Sequence, residues 1–94
     1  MFQVELKPKV IKFLAGAEKK LQVELYKTLK HVRLGSFTLL DIRKVKGRKY
    51  GHRIRVRRWR ILLNMFSKEQ KVEVVDIFLK KGKSDYQKRR ELLN

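Results

Sequence analysis

Between His52 and Met65 the chain alternates apolar and polar residues, and the alternation changes phase once. Arg53, Arg55 and Arg57 alternate with Ile54 and Val56. After Arg57-Arg58 the apolar positions become Trp59, Ile61, Leu63 and Met65, with Arg60, Leu62 and Asn64 between them. A period of two belongs to a strand with unlike faces, and a phase change across two residues belongs to a hairpin. With Arg57-Arg58 as the turn, Val56 pairs with Trp59, Arg55 with Arg60, and Ile54 with Ile61. One face is then apolar, while Arg53, Arg55 and Arg60 gather on the other. Tight two-residue turns favour Gly, Asn or Asp, so Arg-Arg argues for a loop a residue or two longer.

Like charges opposite one another in a ladder cost about 0.2 to 1 kcal/mol per pair. A sheet that keeps them is suited to an anion, and the planar donor fork of arginine suits phosphate. The same pattern also describes a solvated basic face. Composition points the same way: 26 Lys and Arg against 9 acids give a formal net charge of +17. Such a chain attracts polyanions, so nucleic acid, a ribonucleoprotein surface or an acidic protein is the expected partner. A membrane surface fits less well, because the cations lie in strand-like patterns rather than on one amphipathic helix.

The 94 residues suit a single domain spanning 1–94. With no cysteine, disulfides and thiolate metal sites are excluded. The apolar runs are too short for a bilayer span and the first residues lack a signal-peptide layout, so a soluble, cytoplasmic protein is expected.

Phe2 to Leu6 reads as a first strand. Pro8 opens a first helix, with Val10, Ile11, Phe13 and Leu14 at helical spacing up to Gly16. From Ala17, the stripe Leu21, Leu25, Leu29 and Val32 predicts a second helix that ends at Gly35. Phe37 to Val45 is a weaker strand, followed by a flexible positive loop, Lys46 to Gly51. The hairpin runs to about Phe66, Ser67 to Gln70 is a polar turn, and Lys71 to Leu79 is the most strand-like run. Ser84 and Gln87 have the spacing of a capping box for a short last helix, with Tyr86, Leu92 and Leu93 on its apolar side. The order predicts an α+β fold: a small antiparallel-dominated twisted sheet, an N-terminal helical hairpin on one face and a short C-terminal helix.

Familiar catalytic sets are missing. His31 and His52 lack the spacing of a metal site, so neither a metal nor another cofactor is expected. Ser36, Ser67 and Ser84 fall in turns, and no glycine loop has a phosphate-binding layout. What remains is the cationic sheet face, flanked by Lys80, Lys81 and Lys83, with Tyr86 beyond. Such a face can cleave RNA without a metal if it aligns the 2′-hydroxyl, stabilises the charge that builds on phosphorus and supplies protons. Binding alone uses the same residues.

The run Tyr50-Gly-His-Arg-Ile-Arg-Val-Arg-Arg-Trp-Arg-Ile-Leu, preceded by Lys44-Val-Lys-Gly and followed by Val74-Val-Asp-Ile-Phe-Leu-Lys-Lys-Gly-Lys and Tyr86, resembles the RelE/ParE superfamily of toxin-antitoxin toxins. Members typically carry a Tyr-Arg-x-Arg-x-Gly-Asp-Tyr-Arg hairpin and a basic end to the last strand, and the order of elements agrees over nearly the whole chain. For the RelE branch, the resemblance implies a metal-independent endoribonuclease that cuts mRNA in the ribosomal A site, inhibits translation and is neutralised by a cognate antitoxin protein. It matches Arg53 and Arg55 to basic residues of the third strand and Arg60 to the arginine that stabilises the transition-state phosphate. Lys81 falls where a catalytic arginine is usual, and Tyr86 matches an aromatic that orients or stacks on RNA. Lys44, Lys46, Arg48, Lys49, Arg57, Arg58, Lys80 and Lys83 are then the expected contacts to RNA and ribosome. Some members have lysines at positions 53 and 55; arginine is too basic to be a general base, which leaves Lys81, Tyr86 and His52 to share proton transfer. Arg57-Arg58 replaces the usual Gly-Asp turn. Two other readings remain open: a ParE-like, non-enzymatic inhibitor of DNA gyrase, and a basic RNA- or ribosome-binding domain without catalysis.

Overall fold

The structure is a computed structural model that describes residues 1–94, apart from the side chain of Lys83. Five strands form one sheet in the order β1-β5-β4-β3-β2: β1 Gln3–Leu6, β2 Asp41–Lys44, β3 Gly51–Val56, β4 Trp59–Phe66 and β5 Lys71–Leu79. Strand β1 runs parallel to β5 and the other neighbours are antiparallel, so the sheet is mixed within an α+β fold. Two helices, α1 (Pro8–Gly16) and α2 (Lys19–Leu34), form the hairpin, and α3 (Lys83–Arg89) follows the last strand. No helix among the described residues is long and apolar enough to cross a membrane.

Local chemistry sets the helix ends. Pro8 occupies the first turn of α1, where its missing N–H is not needed. Gly35 ends α2 at φ 73°; its N–H bonds to the Val32 carbonyl and the N–H of Ser36 to that of His31, closing the chain in a left-handed cap. The second helix begins at Lys19, two residues later than the apolar stripe suggested, because Ala17 and Glu18 are extended. In the weaker strand region, Phe37–Leu39 is a 3-10 turn and only Asp41–Lys44 pairs.

The helical hairpin covers one face of the sheet. Val10 and Leu14 of α1 and Leu25, Leu29 and Val32 of α2 are buried against Ile54, Val56, Ile61, Leu63, Val72, Val74 and Ile77. A smaller cluster on the other face joins Val45, Leu62, Val75 and Phe78 under Leu93, with Tyr86 packed beside it. The segment after α3 therefore covers half of the face that the hairpin leaves free.

Strand pairing follows the sequence register, with Val56 opposite Trp59, Arg55 opposite Arg60 and Ile54 opposite Ile61. The turn is the two residues Arg57 and Arg58 after all, and not the longer loop that their chemistry favoured. Arg57 takes the positive φ of 58° that glycine or asparagine usually supplies. Two contacts hold it there: its carbonyl accepts from Arg60 Nη1 at 3.0 Å, and its Nε lies 3.2 Å from Glu24 Oε1.

Between β4 and β5 the register shifts. Leu62 faces Asp76 while Leu63 faces Val74, so Val75 is an extra residue in β5. The side-chain phase of β5 reverses there.

Candidate functional site

Arg60 stands at the centre of the free half of the sheet. It is only 8% exposed and opposes Arg55 on one neighbouring strand and Phe78 on the other. Its Nη1 donates to the carbonyls of Arg57 (3.0 Å) and Trp59 (2.9 Å), which fixes the guanidinium against the hairpin turn. It makes no ion pair among the described residues. Burial, and then the charges of Arg53 and Arg55, lower its pKa, opposed by Asp41. A guanidinium that is desolvated and repelled by its neighbours is where an anion gains most.

Arg53, Arg60, Lys80 and Tyr86 line a cleft of about 100 Å³. The Arg53 guanidinium lies 5.9 Å from the centre of the Tyr86 ring. Arg55 is turned toward the sheet edge, where its Nε meets Asp41 Oδ2 at 2.7 Å; Arg43 shares that carboxylate at 3.9 Å. Three of the five expected catalytic side chains, Arg53, Arg60 and Tyr86, thus line one cleft, and Arg55 borders it through its ladder pair with Arg60.

Lys81 is not among the residues that line the cleft; its neighbour Lys80 is. The bulge at Val75 accounts for this. Continuing the alternation of Val72 and Val74 without a bulge places Lys81 on the free face. The extra residue reverses the phase, so Phe78 opposes Arg60 and Lys80 follows on that side. The Lys80 N–H also bonds to the Arg58 carbonyl at 2.9 Å, tying the strand end to the turn. Lys81 is exposed, and its backbone N–H donates to Asp85 Oδ2 at 3.3 Å. His52 occupies the opposite phase of β3 from Arg53, facing Leu63 in the ladder, and its Nδ1–H donates to the Tyr50 carbonyl at 3.0 Å.

The loop expected to be flexible is tied down. Lys44 Nζ donates to the carbonyls of Arg48 (2.5 Å) and Lys49 (3.1 Å), and Arg48 pairs with Glu91 at 3.1 Å. Arg90 donates to the Lys46 carbonyl, and Lys49 lies over the Tyr50 ring at 5.3 Å. Lys44, Lys46, Lys49, Arg57, Arg58 and Lys80 are exposed, and Arg48 partly so. Of these only Lys80 lines the cleft; Arg57 is drawn toward α2 by Glu24. The Lys83 side chain lies outside the described residues. The expected capping box does not form: α3 starts at Lys83 after Gly82, with no side-chain cap.

Larger clefts lie elsewhere, including one of about 420 Å³ between α2 and the hairpin turn, lined by Phe13, Leu21 and Trp59 with Glu18 and Glu24. Its acids and cations balance, and no buried charge points into it. Among the described residues, no group of three or more His, Asp or Glu could hold a metal ion. Two residues that matter here, Asp76 and Arg89, escaped the sequence reading. The available signal was an acid inside the otherwise apolar run Val72–Leu79.

Solved structures share this architecture. The archaeal RelE-RelB complex from Pyrococcus horikoshii OT3 aligns with a TM-score of 0.72 at 14% identity, covering 85% of this chain and 96% of that one. The chain has the RelE fold. The RelB-RelE antitoxin-toxin complex from Methanococcus jannaschii gives a TM-score of 0.68 at 21% identity over 87% of this chain and 96% of that one. The isolated E. coli RelE toxin gives 0.69 at 12% identity over 99% and 100%. No protein-family model matches the sequence, and no curated protein matches it. The likeness is therefore one of fold, at 12–21% sequence identity.

Proposed function

We propose that this protein is the toxin of a toxin-antitoxin pair and acts as a metal-independent endoribonuclease on mRNA in the ribosomal A site. The observation that carries the reading is Arg60: a buried guanidinium with no acidic partner among the described residues, fixed by two backbone carbonyls in a cleft shared with Arg53, Lys80 and Tyr86. The RelE fold supports it, as do the solved RelE structures with a RelB antitoxin bound.

In this reading, Arg60 and Arg53 bind the scissile phosphate and stabilise the added negative charge when the 2′-oxygen attacks phosphorus. The bond from phosphorus to the 5′-oxygen breaks, the 2′-hydroxyl proton passes to solvent water, and the leaving 5′-oxygen takes up a proton. In this reading the Lys80 ammonium, which lines the cleft, supplies that proton, in place of Lys81, which the sequence suggested could share proton transfer with Tyr86 and His52. Tyr86 orients the nucleotide by stacking on its base, and Arg55 adds positive potential from the edge. The surrounding cations contact ribosomal RNA, and an acidic antitoxin is the complementary partner.

The test is a bacterial translation extract in which the 5′ ends of a message are mapped after addition of the protein, with and without ribosomes. Cuts confined to translated message are expected. Intact message in the presence of folded protein overturns the nuclease reading and directs attention to DNA gyrase or to binding without cleavage.

A further inference from the structure

Asp76 is the only buried acid among the described residues, in a chain of net charge +17. A buried carboxylate is tolerated only when its lone pairs are met, and here three donors meet them. Oδ1 accepts from the Ile77 N–H at 2.9 Å and lies 3.4 Å from Lys9 Nζ at the start of α1; Oδ2 accepts from Arg89 Nη1 at 2.8 Å. The bulge makes this possible, because it brings Asp76 opposite Leu62 and leaves Phe78 to oppose Arg60.

Arg89 is the last residue of α3, and Tyr86 lies three residues earlier, on the same side of the helix. The Arg89 guanidinium also rests over the Phe78 ring at 4.6 Å. A helix of seven residues without a side-chain cap does not hold its own position. Its contacts with the sheet set where Tyr86 stands.

We propose that Asp76 is a positioning residue: through Arg89 it locks α3 on the sheet and so sets the Tyr86 ring beside Arg53 at the mouth of the cleft. For activity the inference rests on the nuclease reading; for geometry it does not. Asp76→Asn keeps the shape and removes the charge that holds Arg89. Small displacements of positioning groups cost large factors in rate, and a fall of roughly 10- to 100-fold in the cleavage rate is expected.

The deciding experiment is a cycle of Asp76→Asn, Tyr86→Ala and the double variant in single-turnover cleavage on ribosomes. If Asp76 acts through Tyr86, adding Asp76→Asn to Tyr86→Ala costs nothing further; equal losses in both backgrounds overturn the proposal. Arg89→Lys is expected to retain most of the rate and Arg89→Gln to lose as much as Asp76→Asn. A second readout needs no activity. The chain has 3 tyrosines, so fluorine NMR of 3-fluorotyrosine protein resolves Tyr86 from Tyr26 and Tyr50, with Tyr86→Phe as the assignment. The Tyr86 signal is expected to move in Asp76→Asn while that of Tyr26 stays; an unmoved Tyr86 signal overturns the proposal even if the wild-type chain cuts no RNA. Should Asp76→Asn fail to fold, Arg89→Gln asks the same question from a partly exposed position.

Discussion

The face of the sheet away from the helical hairpin has two halves built on the same strands. In one, Leu62, Val75 and Phe78 are sealed beneath Leu93; in the other, Arg53, Lys80 and the buried Arg60 line a small cleft, with Arg55 beside Arg60 in the ladder. Arg60 and Leu62 are two residues apart on one strand face, so the boundary between the halves is a single step of the pleat. The closed half is consistent, since every neighbour favours burial. The open half is frustrated: like charges oppose one another, and one of them is desolvated. Stability and the proposed function therefore occupy adjacent parts of one surface, and substitutions should separate them.

The largest effect belongs to the closed half. Leu62 is fully buried, and Leu62→Ala is expected to cost about 2–5 kcal/mol in denaturant unfolding. A loss below about 1 kcal/mol means that the segment around Leu93 does not complete a second core.

In the open half, Arg60→Ala is expected to lower cleavage on ribosomes by about 10²-fold or more, the usual effect of removing a donor aimed at developing charge. Its effect on stability is much smaller, because the loss of two bonds to carbonyls is offset by relief of burial and repulsion. The lowered pKa fixes the sign of the pH dependence: the cost of keeping Arg60 charged is present at every pH below that pKa and is relieved only as pH rises through it. That crossing lies in strongly alkaline solution, so Arg60 adds no step to stability near neutrality. A well-folded Arg60→Ala protein that still cuts message removes the open half from the chemistry.

Gly51 marks the seam. A Cβ there meets Leu93 Cδ1 at 2.9 Å and the Arg48 Cβ at 3.0 Å. Gly51→Ala should cost about 1–3 kcal/mol by pushing these contacts apart. Hydrogen exchange is expected to rise at the Tyr50 N–H, which donates to the Asn94 carbonyl at 3.1 Å, and at the Asn94 N–H, which donates to Asn64 Oδ1 at 2.9 Å, and not within the hairpin turn. Faster exchange at Arg60 as well shows that the halves move together.

How much of this was legible in the sequence differs between the halves. The hairpin register and the gathering of Arg53, Arg55 and Arg60 follow from alternation, a local property. The seal over Leu62 was not legible, because Leu93 and Gly51 meet only once the whole sheet is formed. The bulge at Val75 has no sequence signal of its own, and it decides whether Lys80 or Lys81 enters the cleft. The Arg57 turn failed its local rule because Glu24 and Arg60, distant in sequence or across the strand pair, supply what the residue type lacks. In each case a contact made only in the assembled fold overrides the local preference.

The smallest expected effect is the most direct probe of frustration. Arg53 is the charge that most disfavours a protonated Arg60, and Arg53→Met keeps its length without its charge. Removing like-charge repulsion in a sheet is worth about 0.2–1 kcal/mol. Losing the partly exposed cation-ring contact with Tyr86, at 5.9 Å, offsets part of that by about 0.5 kcal/mol. A small net gain in stability at low salt is expected, together with weaker RNA binding. Screening shortens to about 3 Å at 1 M salt, so the gain should vanish there. Stabilisation with loss of binding is the signature of a charge kept for its ligand. If Arg53→Met instead loses stability equally at both salt concentrations, packing against Tyr86 outweighs repulsion, and the open half is a structural surface as consistent as the closed one.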